Sequence, residues 1–191
     1  MLNHAFTQTL TTPRLILRRF TPEDAPAMYQ NWASDPQVTR FLRWTPHPSV
    51  QDTRTLLEGW TEQYSQPDYY SWAVERREDG VLIGSIGAFG NSNPMDEMIE
   101  IGYCLGTAFW GQGYMTEALE AVLDFLFGTV GYRRIEAYHS TQNPASGRVM
   151  EKAGMIYEGT ARQKYMIASG EPQDCRMYGI LRSDWEARRA K

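Results

Sequence analysis

Cysteine and histidine are scarce in this chain, two and three among 191 residues. Cys104 and Cys175 share no CxxC spacing, which argues against a disulfide scaffold and against a thiolate metal site. Both sit in strand-like stretches and read as reduced, buried core residues. His4, His47 and His139 lie far apart and no HExxH occurs, so no metal is expected. Basic residues do not dominate: 19 Lys and Arg stand against 23 Asp and Glu, a net charge of −4. Nucleic acid is therefore not an expected partner. The terminal cluster Arg188, Arg189 and Lys191 reads as a solvated tail. No apolar run approaches the roughly 18 residues that span a membrane, and no signal peptide is visible. A cytoplasmic protein with no membrane partner is expected.

What is present is material for a core. Hydrophobic residues make up 42% and aromatics 13% of the chain. That suits one domain over residues 1–191, and no repeat, low-complexity segment or linker divides it. Arg14–Arg18 reads as a strand. Thr21-Pro22-Glu23-Asp24 then opens a helix, with Thr as N-cap, Pro at the first helical position and acids in the first turn. It should run to about Ala33 and stop before Asp35-Pro36. Ser49, with Asp52 three residues on, starts another helix through Leu56, Leu57 and Trp60. Between them Phe41, Trp44, Pro46 and Pro48 form an apolar loop that either covers the core or walls a cleft.

Strands follow at Tyr70–Glu75 and Val81–Ile86, joined by a turn at Asp79-Gly80. Gly84, Gly87 and Gly90 in the second of these point to bulges or close packing. A polar loop over Asn91–Asp96 leads to the strand Met98–Leu105, which carries Glu100. Arg134–His139 is a further strand, and Asn143-Pro144-Ala145-Ser146 opens a short helix through Met150 that ends at Gly154, a C′ glycine. Two last strands, around Met155–Tyr165 and Asp174–Leu181, flank a turn at Ser169-Gly170. The fold class is α+β: a largely antiparallel sheet with interspersed helices.

The stretch Phe109-Trp110-Gly111-Gln112-Gly113-Tyr114-Met115-Thr116-Glu117-Ala118 is the most informative. It joins the Glu100 strand to a helix whose Ala118, Ala121, Val122, Phe125 and Leu126 make one apolar face. A glycine turn that opens a helix presents unpaired N–H groups and the positive end of the dipole, a setting for an anion such as a pyrophosphate. A dinucleotide turn would need glycine where Thr116 stands, and no P-loop signature occurs. A purely structural turn and a mononucleotide site remain open on spacing alone.

Taken together, Glu100-Ile101-Gly102-Tyr103, Trp110-Gly111-Gln112-Gly113-Tyr114, Thr116-Glu117-Ala118-Leu119, Asn143-Pro144-Ala145-Ser146 and Val149–Met155 resemble the acyl-CoA-binding core of the GNAT acetyltransferases. Thr12–Arg18 and Tyr178–Arg182 with Asp184-Trp185 resemble one branch, the RimJ/RimL-type N-terminal acetyltransferases of ribosomal proteins. The likeness covers nearly the whole chain. It implies a mixed, largely antiparallel sheet, flanked by helices and splayed open beside the Glu100 strand, with acetyl-CoA in the gap as cosubstrate. Gly111, Gln112, Gly113, Tyr114 and Met115 would offer backbone N–H groups to the pyrophosphate, and Thr116 a hydroxyl. Tyr103, Cys104 and Leu105 would pair through their backbone with the pantetheine arm, one N–H polarising the thioester carbonyl. Asn143 would bond to the arm from the other side.

An amine attacks only when neutral, and an α-amine titrates at about 7.7–8.0, so a general base is required. Glu100 is the candidate, although alternation opposite Ile99 and Ile101 also suits a carboxylate on a solvent face. The resemblance further implies a donor for the leaving thiolate. The tyrosine that many family members carry would fall at Met150, which cannot donate. Ser146 is the alternative, against a plain helix-capping use, with Tyr138 and Tyr157 in reserve. Cys104 has no activating neighbour in sequence and reads as core. The expected activity is N-acetyl transfer to a primary amine by direct attack, the acceptor being first a protein or peptide N-terminus. Small amines such as polyamines, amino acids or antibiotics come second, and a non-catalytic acyl-CoA sensor is the rival of another class. A homodimer is compatible with this reading.

Overall fold

Chain direction and strand pairing in a computed structural model, which describes residues 1–90 and 94–190, explain where the site lies. Strands β1 (Leu10–Thr11) and β2 (Leu15–Arg18) come first. A continuous helical run follows: a 3-10 turn over Pro22–Asp24, α1 (Ala25–Met28) and a π turn over Tyr29–Ala33. The Asp24 carboxylate accepts from the Thr21 N–H at 2.9 Å, as the first-turn acid predicts. The expected stop at Asp35 holds, yet Asp35 also restarts the chain. Its carboxylate accepts from the Gln37 N–H and Pro36 begins the short helix α2 (Pro36–Thr39). Ser49 caps α3 (Val50–Gln63), accepting from the Asp52 N–H at 3.2 Å.

The hairpin β3 (Tyr70–Arg76) and β4 (Leu82–Gly90) turns at Gly80, whose φ is +70°. Of the polar loop expected at Asn91–Asp96, residues 91–93 lie outside the described residues, and Pro94–Asp96 form a 3-10 turn. Next come β5 (Met98–Leu105), α4 (Tyr114–Phe125), β6 (Arg134–Ser140), α5 (Pro144–Lys152), β7 (Ile156–Met166), β8 (Pro172–Leu181) and α6 (Arg182–Arg189). All eight strands join one sheet in the order β1-β2-β3-β4-β5-β6-β8-β7. Every neighbouring pair is antiparallel except β5 and β6.

Those two run parallel and pair only over Met98–Glu100 with Arg134–Glu136. Beyond Glu100 and Glu136, β5 stays paired to β4 and β6 to β8, and the two strands run on without pairing each other. Close approach fixes the β4 side of this arrangement, because a Cβ at Gly84 would collide with the Cys104 carbonyl oxygen.

Each face of the sheet has its own core. On one, the buried face of α4 (Ala118, Leu119, Val122) and Met150 of α5 pack on Ile99, Ile101, Ile135 and Ala137. On the other, Met28, Trp32 and Leu57 pack with Ala73 and Leu82. Fully burying such side chains stabilises the fold by about 1.5–3 kcal/mol each. Of the expected solvated tail, Arg188 and Arg189 are exposed, on the helix α6, and Lys191 lies outside the described residues. Trp185 anchors α6, its ring centroid 5.6 Å from that of Phe127 and its indole N–H donated to Asp124 at 2.7 Å.

Candidate active site

Between β5 and α4 the chain makes the glycine turn. Gly111 and Gly113 adopt φ of +74° and +82°, values that L residues rarely tolerate. Among the described residues, the N–H groups of Gly111, Gln112 and Gly113 meet no carbonyl oxygen. The first turn of α4 adds further free donors at the positive end of a 12-residue helix. Arg14, just before β2, braces this arrangement: it donates to the Gln112 carbonyl at 3.0 Å and pairs with Glu117 at 2.6 Å. Thr12 donates to the same carboxylate at 2.6 Å. Trp110 ties the turn back to β5 by donating its indole N–H to the Leu105 carbonyl at 2.7 Å. Such a row of donors suits a pyrophosphate.

Glu100 stands at the last paired position before the gap, opposite Glu136 on β6 and Phe89 on β4. Ile99 and Ile101 are buried in the α4 core, so Glu100 faces the α1–α3 side. Its carboxylate is half-buried and accepts no hydrogen bond among the described residues. Burial pushes its pKa up, with the charge of Glu136 adding to the rise and Lys164 and Arg43 opposing it. Glu136 differs, being held by Arg134, which also pairs with Glu158. The Phe89 ring lies over Gly87 and Gly102, whose missing side chains leave room for it beside Glu100.

The opposite face of β5 carries Tyr103. Its phenol donates to the Ser146 carbonyl at 2.9 Å and accepts from Ser146 Oγ at 3.1 Å, so β5 and α5 are linked across the gap. Burial raises the Tyr103 pKa, so the phenol stays protonated. Ser146 thus does not spend its hydroxyl on capping. Asn143 is the N-cap residue of α5 by position, but its side chain makes no capping bond. Met150 is buried in the core. Cys104 bonds with Ser85 at 3.2 Å and burial raises its pKa, the opposite of an activated thiol. It is only partly buried, unlike Cys175, which is fully so. Tyr157 sits on the exposed side of β7, bonded to Thr160, away from Glu100's group.

The wall facing Glu100 is built from the Phe41–Pro48 loop and the β7–β8 hairpin. Leu42 and Trp44 pack on the α1–α3 core, while Arg43 points the other way and donates to the Tyr138 hydroxyl at 3.2 Å. The core-covering reading of that loop holds for Leu42 and Trp44. Tyr165 donates to the Phe41 carbonyl at 2.7 Å and the Ala168 N–H to the Leu42 carbonyl at 3.0 Å, which fixes loop to hairpin.

Residues 14–156 match the model of the family described as "Acetyltransferase (GNAT) domain". The chain belongs to the GNAT acetyltransferase family. This GNAT chain is 34% identical to the uncharacterized N-acetyltransferase YoaA of Bacillus subtilis, a match covering 91% of this chain and 96% of YoaA. It is 25% identical to the [ribosomal protein uS5]-alanine N-acetyltransferase of Escherichia coli, covering 92% of each. A GNAT-family acetyltransferase structure from Bacillus anthracis superposes with a TM-score of 0.79 at 26% identity, over 92% of this chain and 99% of that one. The protein is an N-acetyltransferase, and GNAT domains use acetyl-CoA as cosubstrate. The donor-rich turn and the unpaired edge of β5 fit that molecule. Among the described residues no cluster of His, Cys, Asp or Glu could hold a metal, and no helix is long and apolar enough to cross a membrane.

Sequence reasoning gave Arg14, Arg43, Lys164 and Tyr165 no role. Arg14 lay inside a stretch already noticed for its family likeness, and its pairing with Glu117 gives that likeness a physical cause. The other three carry no motif.

Proposed function

We propose that this GNAT chain transfers the acetyl group of acetyl-CoA to a protein or peptide N-terminal amine, by direct attack in a ternary complex. The observation that carries it is the end of β5–β6 pairing at Glu100, between a free carboxylate on one face and the Tyr103–Ser146 hydroxyl pair on the other. Acetyl-CoA supplies an activated thioester. The glycine turn, from Gly111 to Thr116, holds its pyrophosphate, and Asn143 with the backbone of Tyr103–Leu105 holds its arm. An N–H of that strand polarises the thioester carbonyl, where negative charge develops.

The amine nitrogen forms the new C–N bond as the C–S bond breaks and its electron pair leaves on sulfur. Glu100 takes the proton lost by the amine, directly or through one water. Its raised pKa brings it closer to that of the proton it accepts. Ser146 Oγ–H, now donated to Tyr103, turns to the departing sulfur, which gains its own proton from water on release. The choice of an N-terminal amine draws on the uS5-alanine N-acetyltransferase relative.

Mass spectrometry of a mixed panel tests this reading: peptides with free N-termini, the same peptides N-blocked but carrying lysine, and small amines. Acetylation confined to free N-termini supports it. Acetylation of small amines alone overturns the acceptor, and acetyl-CoA binding with no acetylation of any member overturns the reaction.

A further inference from the structure

Two cations face the acceptor side of the gap without a carboxylate to hold them. The Arg43 guanidinium lies 5.0 Å from the Tyr165 ring centroid and donates to Tyr138. The Lys164 ammonium lies 5.4 Å from the centroid of the Tyr138 ring. Neither forms an ion pair among the described residues, whereas Arg134, beside them, is held by Glu136 and Glu158. Both cations act electrostatically on Glu100. Of the other carboxylates nearby, Glu136 is engaged by Arg134 and Asp174 accepts from the Gln163 N–H. In a chain whose net charge is −4, Arg43 and Lys164 thus bring two positive charges to bear on Glu100.

That charge has two consequences for an incoming amine. The cations disfavour the ammonium form, which helps release the proton that Glu100 takes. They also repel a substrate that arrives with positive charge alone, so a polyamine is poorly matched. Two tyrosines and a loop tied to the β7–β8 hairpin hold the cations in place. We infer that the acceptor carries a carboxylate within about one residue of its amine, and that Arg43 and Lys164 bind it while the amine faces Glu100. This inference rests on the proposed amine acetylation. The same chemistry is offered by a peptide whose second residue is Asp or Glu and by a free amino acid.

The test compares acetylation rates on three free-N-terminal peptides differing only at residue 2, as Asp, Asn or Lys, with free aspartate and a polyamine alongside. The wild-type chain should favour Asp over Asn by about twofold to thirtyfold in kcat/KM, the size of two partly exposed ion pairs. The preference should appear mainly in KM and shrink with added salt. Arg43→Gln and Lys164→Gln should each reduce it and together abolish it, with acetyl-CoA affinity unchanged. Acetylation of free aspartate but of no peptide would assign the carboxylate to an amino acid; the reverse would assign it to a peptide. Equal rates on the Asp and Asn peptides, a preference for Lys or polyamine, or an Asp preference that survives both substitutions would overturn the inference while leaving amine acetylation intact. No acetylation of any acceptor would remove both readings.

Discussion

The two sides of the gap in this sheet are made of different material. On the side proposed for acetyl-CoA, six consecutive residues from Gly111 to Thr116 present backbone N–H groups, and side chains such as Arg14 and Glu117 only brace them. On the side proposed for the acceptor, Glu100, Arg43, Tyr138 and Lys164 come from four separate segments and offer side chains. A backbone site depends on conformation, which two positive-φ glycines impose locally. A side-chain site depends on tertiary placement, so each of its members can change without disturbing the fold. One cosubstrate held by a conformational device and a variable acceptor held by replaceable side chains is the division of labour this contrast suggests.

The largest effect that can break this division is expected at Glu100. Turnover of Glu100→Gln should fall by about 10²–10⁴, the usual scale of lost general-base help; unchanged turnover would remove Glu100 from the chemistry. The next effect concerns the far wall of the cofactor side, where Gly147 lies against the buried ring of His139. A Cβ there would collide with His139, whose own Nε2 has no partner among the described residues. Gly147→Ala should therefore destabilise the protein by about 1–3 kcal/mol and lower Tm by about 2–4 °C per kcal/mol. An unshifted Tm would mean that His139 yields freely.

Gly113→Ala sharpens the comparison further. With φ at +82° the substitution forces an L residue into the left-handed region, at a cost of about 1–2 kcal/mol. Acetyl-CoA should bind more weakly, by about fivefold to thirtyfold, while the acceptor preference stays the same. A changed preference with intact acetyl-CoA binding would break the separation of the two sides. The smallest effect is on pH. Because burial raises the Glu100 pKa from 4.5, the acid limb of the rate profile should lie above that value and disappear in Glu100→Gln. The sign for stability is opposite to that for activity. A carboxyl with a raised folded-state pKa contributes stability at low pH that is lost as pH rises through it. Glu100→Gln should accordingly cost no Tm at neutral pH, and a marked fall would show the carboxylate to be structural.

The same contrast explains what the sequence disclosed. Strands of alternating or continuous apolar residues, the Ser49 cap, the Asn143–Ser146 helix start and the glycine turn are local signals, and the structure has each of them. Three elements escaped because their signals are short or indirect. Strand β1 has two residues, α2 depends on Asp35 both ending one helical run and capping the next, and α6 is anchored by Trp185 on Phe127, a contact between residues far apart in sequence. The Tyr103–Ser146 bond joins residues far apart in sequence, so the phenol's use was hidden although both residues were singled out. Arg43 and Lys164 were illegible for the same reason, since only folding brings them to Tyr138.

Calorimetric titration of acetyl-CoA into Glu100→Gln and into the wild-type chain tests the separation of the two sides most directly. The account predicts equal affinity, because the donors that hold acetyl-CoA are backbone groups of the turn and of β5. A loss of tenfold or more in the variant would contradict it, placing Glu100 in cosubstrate binding instead of amine activation.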